Sequence, residues 1–557
     1  MPTILNSVRV LLMTALGLFS VRSFTAGQTS SPSHAVTPGD YRIAGTVVSK
    51  TDGHPLANVR ITVRDAKDPQ KFEFQVTSEA GKFQFNGVPA GKYQLIGAKR
   101  GFIAASFDQH EQFSTAIVTG PGLETEALVL RLAPAAIIAG KILDEAGEPV
   151  RHATVTVYRD DHSSGVDRIQ QFRTAQTDDQ GSYEVASLVP GTYFLSANAK
   201  PWYAVHPNST DSGTEGSSAD PATLTRALDV AYPLTYYSDV IDADSATPIP
   251  IRGGERLQVE IHLSPVPSLR LLFRVPTSGN NGFSVPRLEQ PAFDGSTFFQ
   301  NDGVRMVSPG LVELTGIPAG RYNLDLNGPG AALRMNGVDL NKDGEEIDTS
   351  KTEALTSVKV RIQVTGEATV PPHLSVALRS GGRLFTGVQA VSEKGEAEFP
   401  QVAAGRYEIV VWSSAKQFSI THLAAEGAEV SAHSITVTAG TSVSVSLTVL
   451  SGSLRVDGTA KRAGKPFAGA MVVLVPKSPE RDRDLFRRDQ SDLDGTFSLQ
   501  NVVPGSYTVL AIENGWDLDW SQPGVIAAYL KRGRAIEIGN QSGRIMNLSD
   551  AVEVQSK

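Results

Sequence analysis

Cysteine is absent from this sequence. Its absence excludes a disulfide framework, thiolate zinc sites, a cysteine nucleophile and a lipid-anchored cysteine. Charge of one sign is also missing. The 51 Lys and Arg stand against 59 Asp and Glu, and this mild acidity offers neither a nucleic-acid surface nor a polybasic membrane patch. None of the ten histidines has Glu three residues on, and His110-Glu111 lacks the second His of an H-E-x-x-H grip. A metallopeptidase site therefore has no ligands. No G-x-S-x-G elbow and no G-x-x-x-x-G-K-[ST] phosphate loop occurs, so the sequence predicts a protein that is not an enzyme.

Long hydrophobic runs are scarce as well. The 12 residues Val10 to Val21, behind Arg9, are too short to cross about 30 Å of hydrocarbon. With Thr25-Ala26-Gly27 following, they read as the core of a signal peptide over residues 1–27, cleaved after Gly27. The Ser-, Thr- and Pro-rich residues 28–39 then form a flexible lead-in. The expected product is secreted, periplasmic or on the cell surface, and not an integral membrane protein after cleavage.

What the sequence does contain is a repeated phrase. Gly87-Val88-Pro89-Ala90-Gly91-Lys92-Tyr93 returns as Leu188-Val189-Pro190-Gly191-Thr192-Tyr193, Ile317-Pro318-Ala319-Gly320-Arg321-Tyr322, Val402-Ala403-Ala404-Gly405-Arg406-Tyr407 and Val503-Pro504-Gly505-Ser506-Tyr507. In all five copies a second glycine lies 12 residues before the tyrosine, at Gly81, Gly181, Gly310, Gly395 and Gly495. A fixed offset marks a repeat array. The upstream glycines fit hairpin turns that need a positive φ. The Pro-Gly pairs at 190–191 and 504–505 fit type II turns. Each tyrosine then starts a strand, ring inward, with its hydroxyl placed to bond loop backbone.

Around the phrase, apolar residues alternate in short runs: Val59, Ile61, Val63; Phe72, Phe74, Val76; Phe83, Phe85; Leu128, Leu130, Leu132. Period two in runs broken by Gly, Pro and Asp predicts half-buried antiparallel strands, which need two facing sheets to cover their apolar faces. The predicted fold is all-β, a tandem array of about five small antiparallel Greek-key β-sandwiches. The units run over 40–133, 134–265 with a surface insertion near 206–220, 266–350, 351–450 and 451–557. The third is the most degenerate, keeping only the second half of the pattern.

Gly147-Glu148-Pro149 before Ala153-Thr154-Val155 matches Gly53-His54-Pro55 before Ala57-Asn58-Val59, and Gly464-Lys465-Pro466 before Ala470-Met471-Val472 repeats it. With the D-x-x-G-x-[FY] hairpin and the P-x-G-x-Y turn, these units resemble the carboxypeptidase regulatory-like domain of bacterial secreted proteins. The resemblance implies a transthyretin-like (prealbumin-like) sandwich, accessory to something else and without a catalytic partner here.

Three candidate features remain. Asp339, Asn341 and Asp343 supply oxygens at positions 1, 3 and 5 of a calcium-like loop with Gly344 at position 6, although Ser350 stands where a bidentate acid belongs. A plain Asp-Gly turn is the competing reading, and no other cofactor is expected. Trp202, Trp516 and Phe102 each lie nine residues after a repeat tyrosine, which reads as a packing position. Tyr203 and Trp520 escape that pattern and are the candidate carbohydrate-stacking residues. The mixed-sign run Arg481 to Asp489 reads as a solvated loop. These features favour a non-catalytic exported binding or adhesion scaffold. The alternatives are a carbohydrate-binding protein, with polysaccharide as partner, and an accessory subunit of an envelope complex that pairs its edge strands with an envelope protein.

Overall fold

Alternating burial along short strands builds five successive β-sandwiches in the computed structural model. It describes residues 41–206, 227–274, 286–299, 303–328, 331–347, 353–365, 369–380, 383–384, 388–413, 418–451, 454–539 and 545–557. The expected signal peptide, the lead-in and, apart from His206, the insertion near 206–220 lie outside the described residues.

The first domain shows the plan. Its strands are β1 (Tyr41–Ser49), β2 (Arg60–Asp65), β3 (Phe72–Val76), β4 (Lys82–Val88), β5 (Gly91–Ala98), β6 (Ala105–Ser106), β7 (Ile117–Thr119) and β8 (Leu128–Leu132). One sheet has the order β4-β1-β8; the other has β3-β2-β5-β6, with β7 also on β5. Ile61, Val63, Phe83, Phe85, Leu95, Leu128, Leu130 and Leu132 point between the sheets and are buried. Each such side chain contributes about 1.5–3 kcal/mol of hydrophobic stabilisation.

β3 departs from the expected pattern. Phe72, Phe74 and Val76 are 53%, 64% and 59% exposed rather than buried. The register explains this: inward-facing Ile61 and Val63 pair with Gln75 and Glu73, which turns the apolar set of β3 to the outer face.

The second domain repeats the plan with Ser182–Leu188, Ala136–Leu143 and Arg256–His262 in one sheet, facing Arg168–Gln176, Thr154–Asp161 and Gly191–Asn198 in the other. The third forms two sheets with a core of its own around Leu271, Phe273, Leu314 and Tyr322, although its sequence is the least regular. It takes an extra strand from each neighbour: Val230–Ala231 pairs with Val266–Arg274, and Glu353–Ala354 pairs with Ala331–Leu340. The fourth and fifth are built around Thr356–Thr365 and Leu454–Arg462.

One pairing differs from a purely antiparallel plan. In each domain the first long strand pairs in parallel with a late one: β1 with β8, Ala136–Leu143 with Arg256–His262, Val266–Arg274 with Glu345–Ile347, Thr356–Thr365 with Val443–Ser451, and Leu454–Arg462 with Ile545–Asn547 and Val552–Ser556. A chain whose first and last strands run the same way enters at one end and leaves at the other, which suits linkage in series.

The repeated phrase has a single geometry. Each tyrosine hydroxyl donates to the carbonyl four residues earlier: Tyr93 to Pro89 (3.0 Å), Tyr193 to Val189 (2.8 Å), Tyr322 to Pro318 (2.8 Å), Tyr407 to Ala403 (3.0 Å) and Tyr507 to Val503 (2.8 Å). The hairpin glycines 81, 181, 310, 395 and 495 all have φ between +67° and +81°. The turn glycines do not behave as type II turns require. Gly191 lacks a positive φ, and Gly505 is nearly extended at 155°. The tyrosine ring folds back over them, 3.3–3.5 Å from where a Cβ would stand on Gly91, Gly320, Gly405 and Gly505, an ordinary van der Waals contact at all but Gly505; Gly191 has open space.

A second shared device is invisible in the phrase itself. Thr77 Oγ1 accepts the Val59 N–H and donates to the Leu56 carbonyl; Thr177 does the same with Ala153 and Val150, and Ser491 with Ala470 and Phe467. The fifth domain also carries a short helix, Pro523–Leu530, which no periodicity announces. It packs with Trp516, Trp520 and Phe486 over the outer face of Met471, Val473 and Val475.

Candidate functional site

The sequence-predicted residues do not come together. Trp520 is 7% exposed, inside the outer core of the fifth domain with Phe486 at 5.7 Å. The backbone of Gly165, from the second domain, lies against its ring. It has no open face for a sugar, which corrects that expectation. Tyr203 is half-buried: its hydroxyl donates to Glu145 Oε1, and Tyr232 donates to Glu145 Oε2 at 2.9 Å. Burial alone would raise the Glu145 carboxyl, but hydrogen bonds from Tyr203, its own backbone and Tyr232 hold it below its ordinary value. Trp202, read from the sequence as packing, is 86% exposed and stands edge-on to Tyr203 at 5.8 Å. Its partners in the offset pattern do pack: Phe102 against the first core, and Trp516 within the fifth.

The calcium-like loop is tied by arginine. Asp343 accepts the Arg270 N–H at 2.9 Å and lies 3.5 Å from its guanidinium, while Asp339 is 4.0 Å from Arg321. Asn341 is exposed between them, and Gly344, at φ +74°, makes the turn. Asp343 is thus engaged as in an Asp-Gly turn between strands, whereas Asp339 and Arg321 are both exposed.

A Ser–His–Asp trio does occur, at Ser268, His206 and Asp229, but it is not a relay. Asp229 lies 2.8 Å and Ser268 3.3 Å from the same ring nitrogen, Nδ1 of His206, and the serine hydroxyl donates to Asp229. A nucleophilic triad needs the serine on the opposite ring nitrogen from the acid.

The most developed polar site joins domains far apart in sequence. The run Arg481 to Asp489 was expected to be a solvated loop. Its second half instead forms the strand Arg487–Gln490, paired with Met471–Pro476 and covered by the first domain. Arg488 is the centre. Its side chain is 3% exposed and makes a bidentate pair with Glu111 of the first domain (3.0 and 2.6 Å). It also reaches the Ser163 carbonyl of the second at 3.2 Å and lies 4.2 Å from the Trp520 ring centroid. Gln490 donates to the Asp108 carbonyl (2.6 Å) and to Thr115 Oγ1 (2.8 Å). His110 stacks on Trp516 with centroids 4.9 Å apart.

Asp492 completes this contact. Its carboxylate accepts the Ala116 N–H at 2.9 Å and faces Lys92 Nζ at 2.5 Å, and Leu493 packs on the core of the first domain. Burial raises the Asp492 carboxyl against the pull of Lys92, and burial pushes Asp489 up to about 6. On the other side, His162 of the second domain bonds the Leu518 carbonyl of the fifth at 2.7 Å. The first, second and fifth domains thus close on one another instead of forming an open string.

Among the described residues no helix is long and apolar enough to cross a membrane. No curated protein matches the chain. Similar solved structures include GBS52, the minor pilin of Streptococcus agalactiae, at 15% identity over 41% of this chain and 97% of that one, with a TM-score of 0.20. The Bacillus anthracis TIE protein is 10% identical over 73% of each chain, with a TM-score of 0.18. A streptococcal ancillary pilin is 13% identical over 55% of this chain and 98% of that one, with a TM-score of 0.19. Residues 42–119 and 137–214 match the carboxypeptidase regulatory-like domain family. The first two sandwiches are therefore carboxypeptidase regulatory-like domains carried in tandem.

Proposed function

We propose that this chain is a non-catalytic, exported binding scaffold that presents the edge of β3 to a partner of the cell envelope. The observation that carries the reading is that edge. Five consecutive residues of β3 are exposed, with Phe72, Phe74 and Val76 on one face, and β3 is the last strand of its sheet. An apolar, unpaired edge is a template for an added strand, and proteins that need no partner there blunt it. The second domain does so. Its corresponding strand, Arg168–Gln176, carries arginines, and Phe172 lies under Arg159 and Arg173 at 4.1 and 5.1 Å.

The N-terminal apolar run supports export, and N-terminal sequencing of the mature protein is expected to begin at Gln28. Phe74→Pro tests the edge. The Asp65 N–H bonds the Lys71 carbonyl and the Thr77 N–H bonds the Val59 carbonyl across the ladder, so alternation leaves the Phe74 N–H on the free side, where proline removes a donor without breaking the pairing with β2. An envelope protein that co-purifies with the parent chain should be lost from the variant; equal recovery from both rules the edge out.

A second reading rests on Trp202, whose exposed ring beside Tyr203 and Glu145 offers a flat apolar face next to a hydrogen-bonding carboxylate. Polysaccharide retention that is unchanged in Trp202→Ala and Tyr203→Ala removes this reading and leaves the edge untouched.

A further inference from the structure

Where the second domain meets the fifth, three metal-ligating side chains converge, and neither the sequence motifs nor the binding edge accounts for them. His162 follows the strand Thr154–Asp161, at the start of a tight turn that ends at Asp167. Gly165 in that turn has φ +78°, and a Cβ there would meet the Trp520 ring at 2.6 Å. The Ser521 N–H reaches the Gly165 carbonyl at 3.4 Å, so the turn is seated directly on the fifth domain. Asp519 comes from the segment after the turn Gly515–Asp517 of that domain.

The two ring nitrogens of His162 have different surroundings. Nε2 lies 2.7 Å from the Leu518 carbonyl, which can only accept, so Nε2 carries a proton. Nδ1 faces Asp167 Oδ1 at 2.7 Å and Asp519 Oδ1 at 3.8 Å. A lone pair opposed by two carboxylates is repelled, so a cation belongs between them, either a proton on Nδ1 or a metal ion. The three donor atoms all lie within 4.8 Å of one another. Tetrahedral coordination with bonds of about 2.0–2.1 Å sets neighbouring donors about 3.3 Å apart. The observed 2.7 and 3.8 Å bracket that spacing. A metal-bound imidazole ordinarily donates its other N–H to a carbonyl or carboxylate, as Nε2 does here.

We propose that His162, Asp167 and Asp519 bind a divalent transition-metal ion of the zinc class, joining the second domain to the fifth. An imidazole with two carboxylates suits zinc better than calcium, which takes six to eight oxygens. Asp167 is 75% exposed, which leaves a path for the ion and room for water at the remaining position. Among the described residues this is the one place where three such donors meet.

The full chain, without an affinity tag and freed of metal by chelator, is titrated with Zn2+ at pH 7.5 and followed by calorimetry and thermal unfolding. One ion per chain is expected, with an unfolding midpoint raised by about 2 °C or more in excess zinc and restored by EDTA. Asp167→Asn changes an exposed side chain and is expected to fold normally while binding at least about tenfold more weakly. Asp519→Asn is expected to do the same. The absence of a stoichiometric zinc event overturns the proposal and leaves an imidazolium ion pair. Zinc binding that survives both substitutions equally overturns it, because the ion then sits elsewhere.

Discussion

The same edge strand stands bare in the first domain and is enclosed in the fifth. Counting back three residues from the buried hydroxyl clamp reaches Phe74 from Thr77 and Arg488 from Ser491, and both positions face outward from their sheets. Phe74 is 64% exposed, whereas the Arg488 side chain is 3% exposed and joins three domains. A repeat therefore fixes where a side chain points but not what it meets. The difference extends along the strand. Asp178, in the hairpin of the second domain, caps its own turn by accepting the Gln180 and Ser182 N–H groups, while Asp492 at the same place grips the first domain and leaves its own turn to Asp494.

The largest effect is expected from Arg488→Ala. It leaves Glu111 without its cation in a mostly buried contact, a loss of about 3–5 kcal/mol. The joined domains should come apart, read as a larger radius of gyration in small-angle scattering and as separate thermal transitions. Phe74→Ala at the equivalent place should leave both measurements unchanged. Equal effects would mean that the two edges are equally engaged.

Asp489 sharpens the contrast by pH. Its counterpart Gln75 is neutral and exposed, whereas burial pushes Asp489 up to about 6. A carboxyl raised on folding holds its proton more tightly in the folded state. Stability from this group is therefore greatest at acid pH and falls as pH rises from about 4 to 6, by about 2–3 kcal/mol in total. Asp489→Asn should remove this fall, seen as a flatter unfolding midpoint between pH 4 and 7 than in the parent chain; parallel curves would refute the assignment.

Gly165→Ala is expected to cost about 2 kcal/mol, from a left-handed backbone together with a Cβ driven into Trp520. Gly147, with φ +79° and nothing within 4 Å of a Cβ, carries the backbone strain alone. Gly147→Ala should cost about 1 kcal/mol, so denaturation of the two variants separates contact from conformation. The common frame should show no such asymmetry. Tyr93→Phe and Tyr507→Phe should each cost about 1 kcal/mol, because both lose the same hydrogen bond to the carbonyl four residues back.

What was legible in the sequence is what the units share. The five tyrosines, the five hairpin glycines and the alternation through Ile61, Phe83 and Leu128 place the sandwiches, since each is set by local geometry and repeats with it. The closure of the chain was not legible. Contacts such as Lys92 with Asp492 or Glu111 with Arg488 join residues hundreds of positions apart with no period, and each depends on one domain differing from its siblings. Arg488 resembled part of a solvated loop because its partner, Glu111, lies in another domain, whereas Arg481 pairs with Asp482 inside the run. Trp520 misled for the same reason: an aromatic outside the repeat was taken for a ligand face, and the fifth domain instead uses it to seat the second.

The smallest effect is expected where offset reasoning failed. Trp202 and Trp516 both lie nine residues after a repeat tyrosine, yet Trp516 stacks on His110 across a domain contact, whereas Trp202 is 86% exposed. Trp202→Ala should change the unfolding midpoint by an amount corresponding to less than about 0.5 kcal/mol, the range of surface substitutions. Trp516→Ala should cost several times more, because it removes both the stacked ring and a side of the fifth domain's outer core. A large loss from Trp202→Ala would mean that the ring is covered in solution, and the sugar-platform reading at Trp202 and Tyr203 would then fail for the reason it fails at Trp520.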